Sequence, residues 1–169
     1  MIKKKLCLLG SLGVGKTSLI RKFVLNVYSE TYLCTVGVKV DKKIVRLRDG
    51  EDVILMIWDM EGQDDFSSLA DTYLRGLSGY LCVADGTRPE TLRTALSICS
   101  SMNSMFQGVS SSLLVNKCDL TDRWAVTEEE CHDLAPGCGR ILRTSAKLGI
   151  GVEEAFVDIA GRMVERPHG

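Results

Sequence analysis

The sequence predicts an α/β domain whose sheet is mostly parallel and covered by helices on both faces. Three observations carry this. Short apolar runs at residues 6–9, 53–58, 80–84, 113–115 and 141–142 alternate with stretches of helical spacing. The runs are apolar at every position, as strands buried on two faces require, and crossover-length segments separate them. The chain of 169 residues fits one compact domain, residues 1–169, with no repeat, low-complexity tract or linker to divide it.

The elements follow in order. Met1-Ile2-Lys3-Lys4-Lys5 opens with a basic start like a signal peptide, but its apolar stretch is only four residues and runs into a glycine-rich motif. It is read as a strand. Leu19, Ile20, Phe23, Val24 and Val27 then repeat with helical spacing. Val36, Val38 and Val40 alternate with Gly37, Lys39 and Asp41, which predicts an edge strand, and the pair Asp49-Gly50 predicts a hairpin from it into the 53–58 strand. After the strands at 80–84, 113–115 and 141–142, a last helix is marked by Ala155, Phe156, Ile159, Ala160, Met163 and Val164.

Composition narrows the function. Hydrophobic residues at 45% and charged residues at 25% exclude a disordered or fibrous chain. Apolar runs of about six residues cannot span a bilayer. The 21 basic residues against 22 acidic ones leave no electrostatic footprint for nucleic acid. Seven cysteines, at positions 7, 34, 82, 99, 118, 131 and 138, form no CxxC pair, and several lie inside apolar runs. They read as reduced thiols packed as small hydrophobes, which places the chain in the cytoplasm. His132 and His168 have no ligand-like neighbours and read as surface residues, Trp58 as core, and the lysines at 3–5 and 42–43 as solvated charge runs.

The chemistry sits at strand ends. Gly10-Ser11-Leu12-Gly13-Val14-Gly15-Lys16-Thr17 satisfies G-x-x-x-x-G-K-[ST] between the first strand and the first helix. Glycines let backbone N–H groups turn around phosphate oxygens, and the helix N-terminus adds its positive dipole end. Lys16 supplies a point charge, with Gly13, Val14, Gly15 and Ser18 around the phosphates, and the Thr17 hydroxyl can ligate Mg²⁺. Asp59-Met60-Glu61-Gly62-Gln63 closes the 53–58 strand. There Asp59 can hold Mg²⁺ through a water, Gly62 can bring its N–H to a γ-phosphate, and Gln63 can orient an attacking water. Asn116-Lys117-Cys118-Asp119 follows the 113–115 strand, and its Asp119 can accept from both N1–H and the exocyclic amine of guanine, a donor pair that adenine lacks. Thr144-Ser145-Ala146-Lys147 follows the last run and can offer backbone N–H groups to the guanine O6.

This ordered set resembles the Ras superfamily of small GTP-binding proteins. The segments Tyr32-Leu33-Cys34-Thr35-Val36-Gly37-Val38, Ile57-Trp58-Asp59 and Tyr73-Leu74-Arg75-Gly76 look most like its Rab branch and the Rab-like GTPases of prokaryotes. The resemblance covers residues 4 to about 164. It implies a P-loop NTPase G-domain with a six-stranded sheet, an antiparallel second strand and about five helices. It also implies that Tyr28 covers the guanine edge-on and that Thr35 ligates Mg²⁺ only beside a γ-phosphate. GTP or GDP and Mg²⁺ are the cofactors. Effector and regulatory proteins are the expected partners, through segments near 30–40 and 61–76, with the chain a monomer. Intrinsic turnover in the best-known relative is on the order of 10⁻⁴ per second, which suits a switch.

Three features depart from the family pattern. Leu12 stands where a small residue is usual; it would crowd Gln63 or a partner's arginine finger, or else lie on the loop surface. Glu61 stands where alanine is usual and would repel a γ-phosphate, or else point into solvent. No prenylation cysteine closes the chain, so no intrinsic membrane anchor is expected, as in a soluble prokaryotic member or a truncated chain. These departures keep open a second reading, a pseudo-GTPase scaffold that binds guanine nucleotide without efficient hydrolysis. A metabolite kinase is disfavoured, because the chain has no arginine-rich lid segment.

Overall fold

The first strand, β1 (Ile2–Leu9), sets the centre of the sheet in the computed structural model, which describes residues 1–25, 38–60, 73–134 and 136–165. Leu6 and Leu8 look into one apolar cluster, and Cys7 and Leu9 into a second on the opposite face. Burial on both faces is the condition of a central parallel strand. With β2 (Lys39–Arg46), β3 (Asp52–Asp59), β4 (Gly79–Asp85), β5 (Ser110–Asn116) and β6 (Arg140–Arg143), it forms a six-stranded sheet in the order β2-β3-β1-β4-β5-β6. Every neighbouring pair is parallel except β2–β3, where Val40 lies opposite Trp58 and Val45 opposite Val53.

Four α-helices flank the sheet among the described residues, where about five were expected: α1 (Lys16–Leu25), α2 (Pro89–Met105), α3 (Glu128–Leu134) and α4 (Val152–Glu165). Leu19, Ile20 and Phe23 of α1 and Ala155, Phe156 and Ile159 of α4 fill the first cluster, where the Phe23 and Phe156 rings stack at 4.1 Å. The buried stripe Leu92, Ala95, Ile98, Cys99 and Met102 of α2 fills the second. That spacing, with Pro89 at the first helical turn, is a legible helix signal that the sequence reading passed over.

The structure corrects several details. The edge strand begins at Lys39 and runs to Arg46, later than the valine alternation suggested; Val36 lies outside the described residues. Its register follows β3, which offers a partner to each of its residues. Val45 is buried, while Val40 and Ile44 are 39% and 53% exposed. The hairpin is as expected: Gly50, at φ +89°, donates its N–H to the Leu47 carbonyl at 3.0 Å. Strand β1 extends back through the lysines, which pair with Ile54, Leu55 and Met56.

Two of those lysines are more than solvated charge. The Lys5 ammonium donates to the Arg75 carbonyl at 3.0 Å and lies 3.8 Å from the Trp58 ring centroid, and burial lowers its pKa. Lys43 caps the Phe23 ring at 3.8 Å and donates to the Phe23 carbonyl. Trp58 itself is half-buried at the sheet surface, tilted against Tyr73 with centroids 6.5 Å apart, and is not a core residue. His132 is exposed, as expected, while His168 lies outside the described residues.

The six described cysteines are free thiols, five of them buried and Cys118 half-buried; Cys34 lies outside the described residues. Burial pushes the Cys7 thiol up to about 12, which keeps it an unreactive core residue. Among the described residues no helix is long and apolar enough to cross a membrane.

Phe156 is fully buried and stacked on Phe23 with an interplanar angle of 5°. Replacing it with Ala removes that ring pair and leaves a void between α1 and α4. The expected loss is about 3–5 kcal/mol of unfolding free energy. Urea titration should show the midpoint falling with the slope unchanged.

Candidate functional site

Strands β1, β3, β4, β5 and β6 all deliver their C-terminal ends to one edge of the sheet, where an open α/β sheet forms its ligand crevice. The loop between β1 and α1 lies at the middle of that edge. Its glycines are there for conformation and space. Gly13 and Gly15 have φ of +76° and +105°, and a Cβ on Gly15 would stand 2.3 Å from the Asn116 amide nitrogen. A Cβ on Gly10 would stand 2.3 Å from the Val83 carbonyl. The loop ends at the N-terminus of α1, where the positive end of the helix dipole favours an anion such as phosphate.

Lys16 is only 2% exposed, and its ammonium donates to the Gly10 and Ser11 carbonyls at 2.7 and 2.9 Å. Ser18 is buried behind it on α1. The Thr17 hydroxyl donates to an Asp59 carboxylate oxygen at 2.6 Å. Two residues 42 apart in sequence thus place a hydroxyl and a carboxylate side by side at the start of α1, an all-oxygen set suited to a hard divalent cation such as Mg²⁺.

The far half of the site is built around Asn116, which is 2% exposed. Its amide donates to the Val14 carbonyl at 3.0 Å, and its carbonyl oxygen accepts from the Thr144 hydroxyl at 3.0 Å and the Ala146 N–H at 3.3 Å. Lys117 takes φ +69°, the one non-glycine positive φ among the described residues, and its ammonium reaches the Gly13 carbonyl at 2.9 Å. The Ser145 hydroxyl donates to the Asp119 carboxylate at 2.8 Å, which sets that carboxylate's orientation. Lys147 is exposed at the rim. The sequence motifs at 10–17, 59, 116–119 and 144–147 therefore meet at one edge, as expected. Tyr28, Thr35, Glu61, Gly62 and Gln63 lie outside the described residues.

Leu12 resolves one open point: its side chain is 64% exposed on the loop surface.

Sequence reasoning missed Asp85. It closes β4 as Asp59 closes β3, so the same strand-end signal marks it. It is 1% exposed, and its carboxylate accepts from the Thr87 N–H and hydroxyl at 2.8 and 2.7 Å and from Arg88 at 3.1 Å, and it pairs with Lys117 at 3.0 Å. Burial alone would raise its pKa. The hydrogen bonds from Thr87, Lys117 and Arg88 outweigh that and hold the carboxyl below its ordinary value.

A depressed folded-state pKa stabilises the protein above the ordinary carboxylate value of about 3.9, and that contribution is lost as pH falls through the folded value. Asp85→Asn should therefore be less stable than wild type near neutrality and should show a flatter acid limb. Urea midpoints measured from pH 7 down to pH 3 test this; parallel curves would remove Asp85 as a source of acid sensitivity.

Comparison with known proteins agrees with this geometry. The Ras family model matches residues 5–165. The chain is 35% identical over 164 residues to the Ras-related protein RIC1 of Oryza sativa subsp. japonica, covering 96% of this chain and 81% of the relative. It is 35% identical over 158 residues to the Ras-related protein Rab-8 of Diplobatis ommata, covering 92% and 75%. A glycine-rich loop at a helix N-terminus, an oxygen pair suited to a hard cation and a buried network joining that loop to the 144–147 loop agree with the comparisons: the chain belongs to the Ras family of small GTP-binding proteins, on its Rab-like side.

Proposed function

We propose that this protein binds GTP and hydrolyses it slowly to GDP, reporting the state of the nucleotide to protein partners. The observation that carries this reading is the connection between its two halves. Asn116 ties the phosphate cradle at Val14 to the loop whose Ser145 orients Asp119, so phosphate and base are gripped by one network. The Asp119 side chain, an acceptor, would reward two donors on a base edge and penalise a base without them, which selects guanine over adenine.

In this reading the cradle amides and Lys16 hold the phosphate oxygens, and Thr17 and Asp59 hold Mg²⁺. Bound there, Mg²⁺ supplies charge neutralisation at the phosphates. Gln63 would orient the attacking water, Thr35 would join the Mg²⁺ ligands beside a γ-phosphate, and Tyr28 would cover the guanine edge-on. The catalytic roles of Gln63 and Lys16 are positional and electrostatic, because phosphoryl transfer to water asks little covalent chemistry of the protein. Partners would read the segments near 30–40 and 61–76; Val40 and Tyr73 within them, partly exposed and half-buried, and the half-buried Trp58 offer apolar contact.

The test starts from the purified protein. Denaturation and chromatography should release guanine nucleotide, and added GTP with Mg²⁺ should yield phosphate slowly, with Gln63→Leu abolishing that yield. Guanine nucleotide with no turnover in the wild type would instead mark a scaffold and turn attention to Glu61. Asp119→Ala should weaken GDP binding about 10- to 100-fold, the worth of charge-assisted hydrogen bonds. Competition with ADP checks the cause: the gap between the two nucleotides should narrow, and an unchanged gap would contradict the role given to Asp119.

A further inference from the structure

Three consecutive carbonyls of the phosphate loop are pinned from the β4 and β5 ends. Asn116 donates to Val14 at 3.0 Å, Lys117 to Gly13 at 2.9 Å, and Arg88 to Leu12 at 3.0 Å. Arg88 stands at the N-terminal cap of α2, its guanidinium spanning the gap: Nε binds the buried Asp85 carboxylate at 3.1 Å while Nη2 reaches Leu12. The same Asp85 oxygen holds Lys117 at 3.0 Å, so one carboxylate steadies two of the three donors. A Cβ on Gly13 would lie 3.5 Å from that Nη2, so the guanidinium packs directly along the loop.

A peptide unit is planar and trans, so its C=O and the following N–H point in opposite directions. A carbonyl held outward therefore aims the next amide inward. Pinning Leu12 fixes the direction of the Gly13 N–H, as pinning Gly13 and Val14 fixes those of Val14 and Gly15.

From this geometry we infer that Arg88 is a positioning residue of the phosphate site, orienting the Gly13 amide into the cradle and slowing nucleotide release. The effect on release rests on the guanine-nucleotide reading; the effect on the amide does not. Lysine would reproduce the device only in part, because Arg88 joins Asp85 and Leu12 through two separate nitrogens of one planar fork, Nε and Nη2, where an ammonium offers a single point. Leu12 contributes only its carbonyl, so the bulk of its exposed side chain is immaterial to this contact.

The experiment compares wild type, Arg88→Ala and Arg88→Lys in three readouts. Dissociation of a fluorescent GDP analogue, chased with excess GDP, should be about 5- to 10-fold faster in the Ala variant and intermediate in the Lys variant, the scale of one partly exposed charge-assisted hydrogen bond. Amide exchange of the 10–17 segment, followed by mass spectrometry on nucleotide-free protein, should quicken in the same order. The thermal midpoint in saturating GDP should fall only by the few degrees that this loss of GDP affinity entails. Wild-type release and exchange in the Ala variant would overturn the inference. A lowered midpoint with unchanged release and exchange would also overturn it, and would reduce Arg88 to a staple between β4 and α2. If the wild type holds no guanine nucleotide, the functional reading fails and the exchange comparison still decides the role of Arg88.

Discussion

The buried Asn116 side chain is the constraint on which the rest of the site depends. It lies 102 residues from Val14 and 28 from Thr144 in sequence, and it bonds both. An amide is suited to this because it donates and accepts at once. In a site this dry, a missing partner costs the full desolvation of the group left behind, on the order of 1–3 kcal/mol each. Removing Asn116 would orphan the Val14 carbonyl and the Thr144 hydroxyl together, so the phosphate loop and the 144–147 loop are coupled through a single residue. Carboxylate or hydroxyl replacements could meet only part of that demand.

The sheet explains why the network sits where it does. Parallel strands buried on both faces leave their loops at two edges, and the loops at the C-terminal edge connect to helix N-termini. The two apolar clusters carry the stability, and Val14 and Ala146 of the first give only their backbone groups to the site. What the clusters transmit is position: Leu9 anchors the start of the phosphate loop, and Val115 anchors Asn116, which follows it. Gly10 lets the chain leave β1 pressed against the Val83 carbonyl, a contact closed to any other residue. The precision of the site is therefore inherited from the close packing of the core beneath it.

Much of this was legible in the residues, for a physical reason. Strands buried on both faces must be apolar throughout, so the runs at 80–84 and 113–115 stood out, whereas the three serines that open β5 did not, although all are buried. Their Ser112 hydroxyl binds Arg162 of α4, a long-range contact that no periodicity encodes. The edge strand was misplaced because a strand packed on one face needs few apolar residues. The hairpin and the partner strand set its register. At the site, the described residues of the motifs at 10–17, 59, 116–119 and 144–147 lie at one sheet edge, and the pairing of Thr17 with Asp59 required the fold. Asp85 carried the strand-end signal of Asp59, whereas Arg88 is marked by no motif, its importance lying in what it touches across the loop.

Lys117 shows how local conflict and global order are reconciled. A lysine with φ +69° occupies a conformation that costs a side-chain-bearing residue roughly 1–2 kcal/mol. The chain turns there so that Asn116 can face the phosphate loop while Cys118 donates its N–H to the Thr144 carbonyl at 3.0 Å. The ammonium then bridges the Gly13 carbonyl and Asp85, recovering in charge-assisted bonds what the backbone gives up. Strain of this kind persists only where surrounding contacts over-determine it. Here the contacts that hold the strained residue are the ones that shape the phosphate cradle, so conformation and binding geometry are two descriptions of one arrangement.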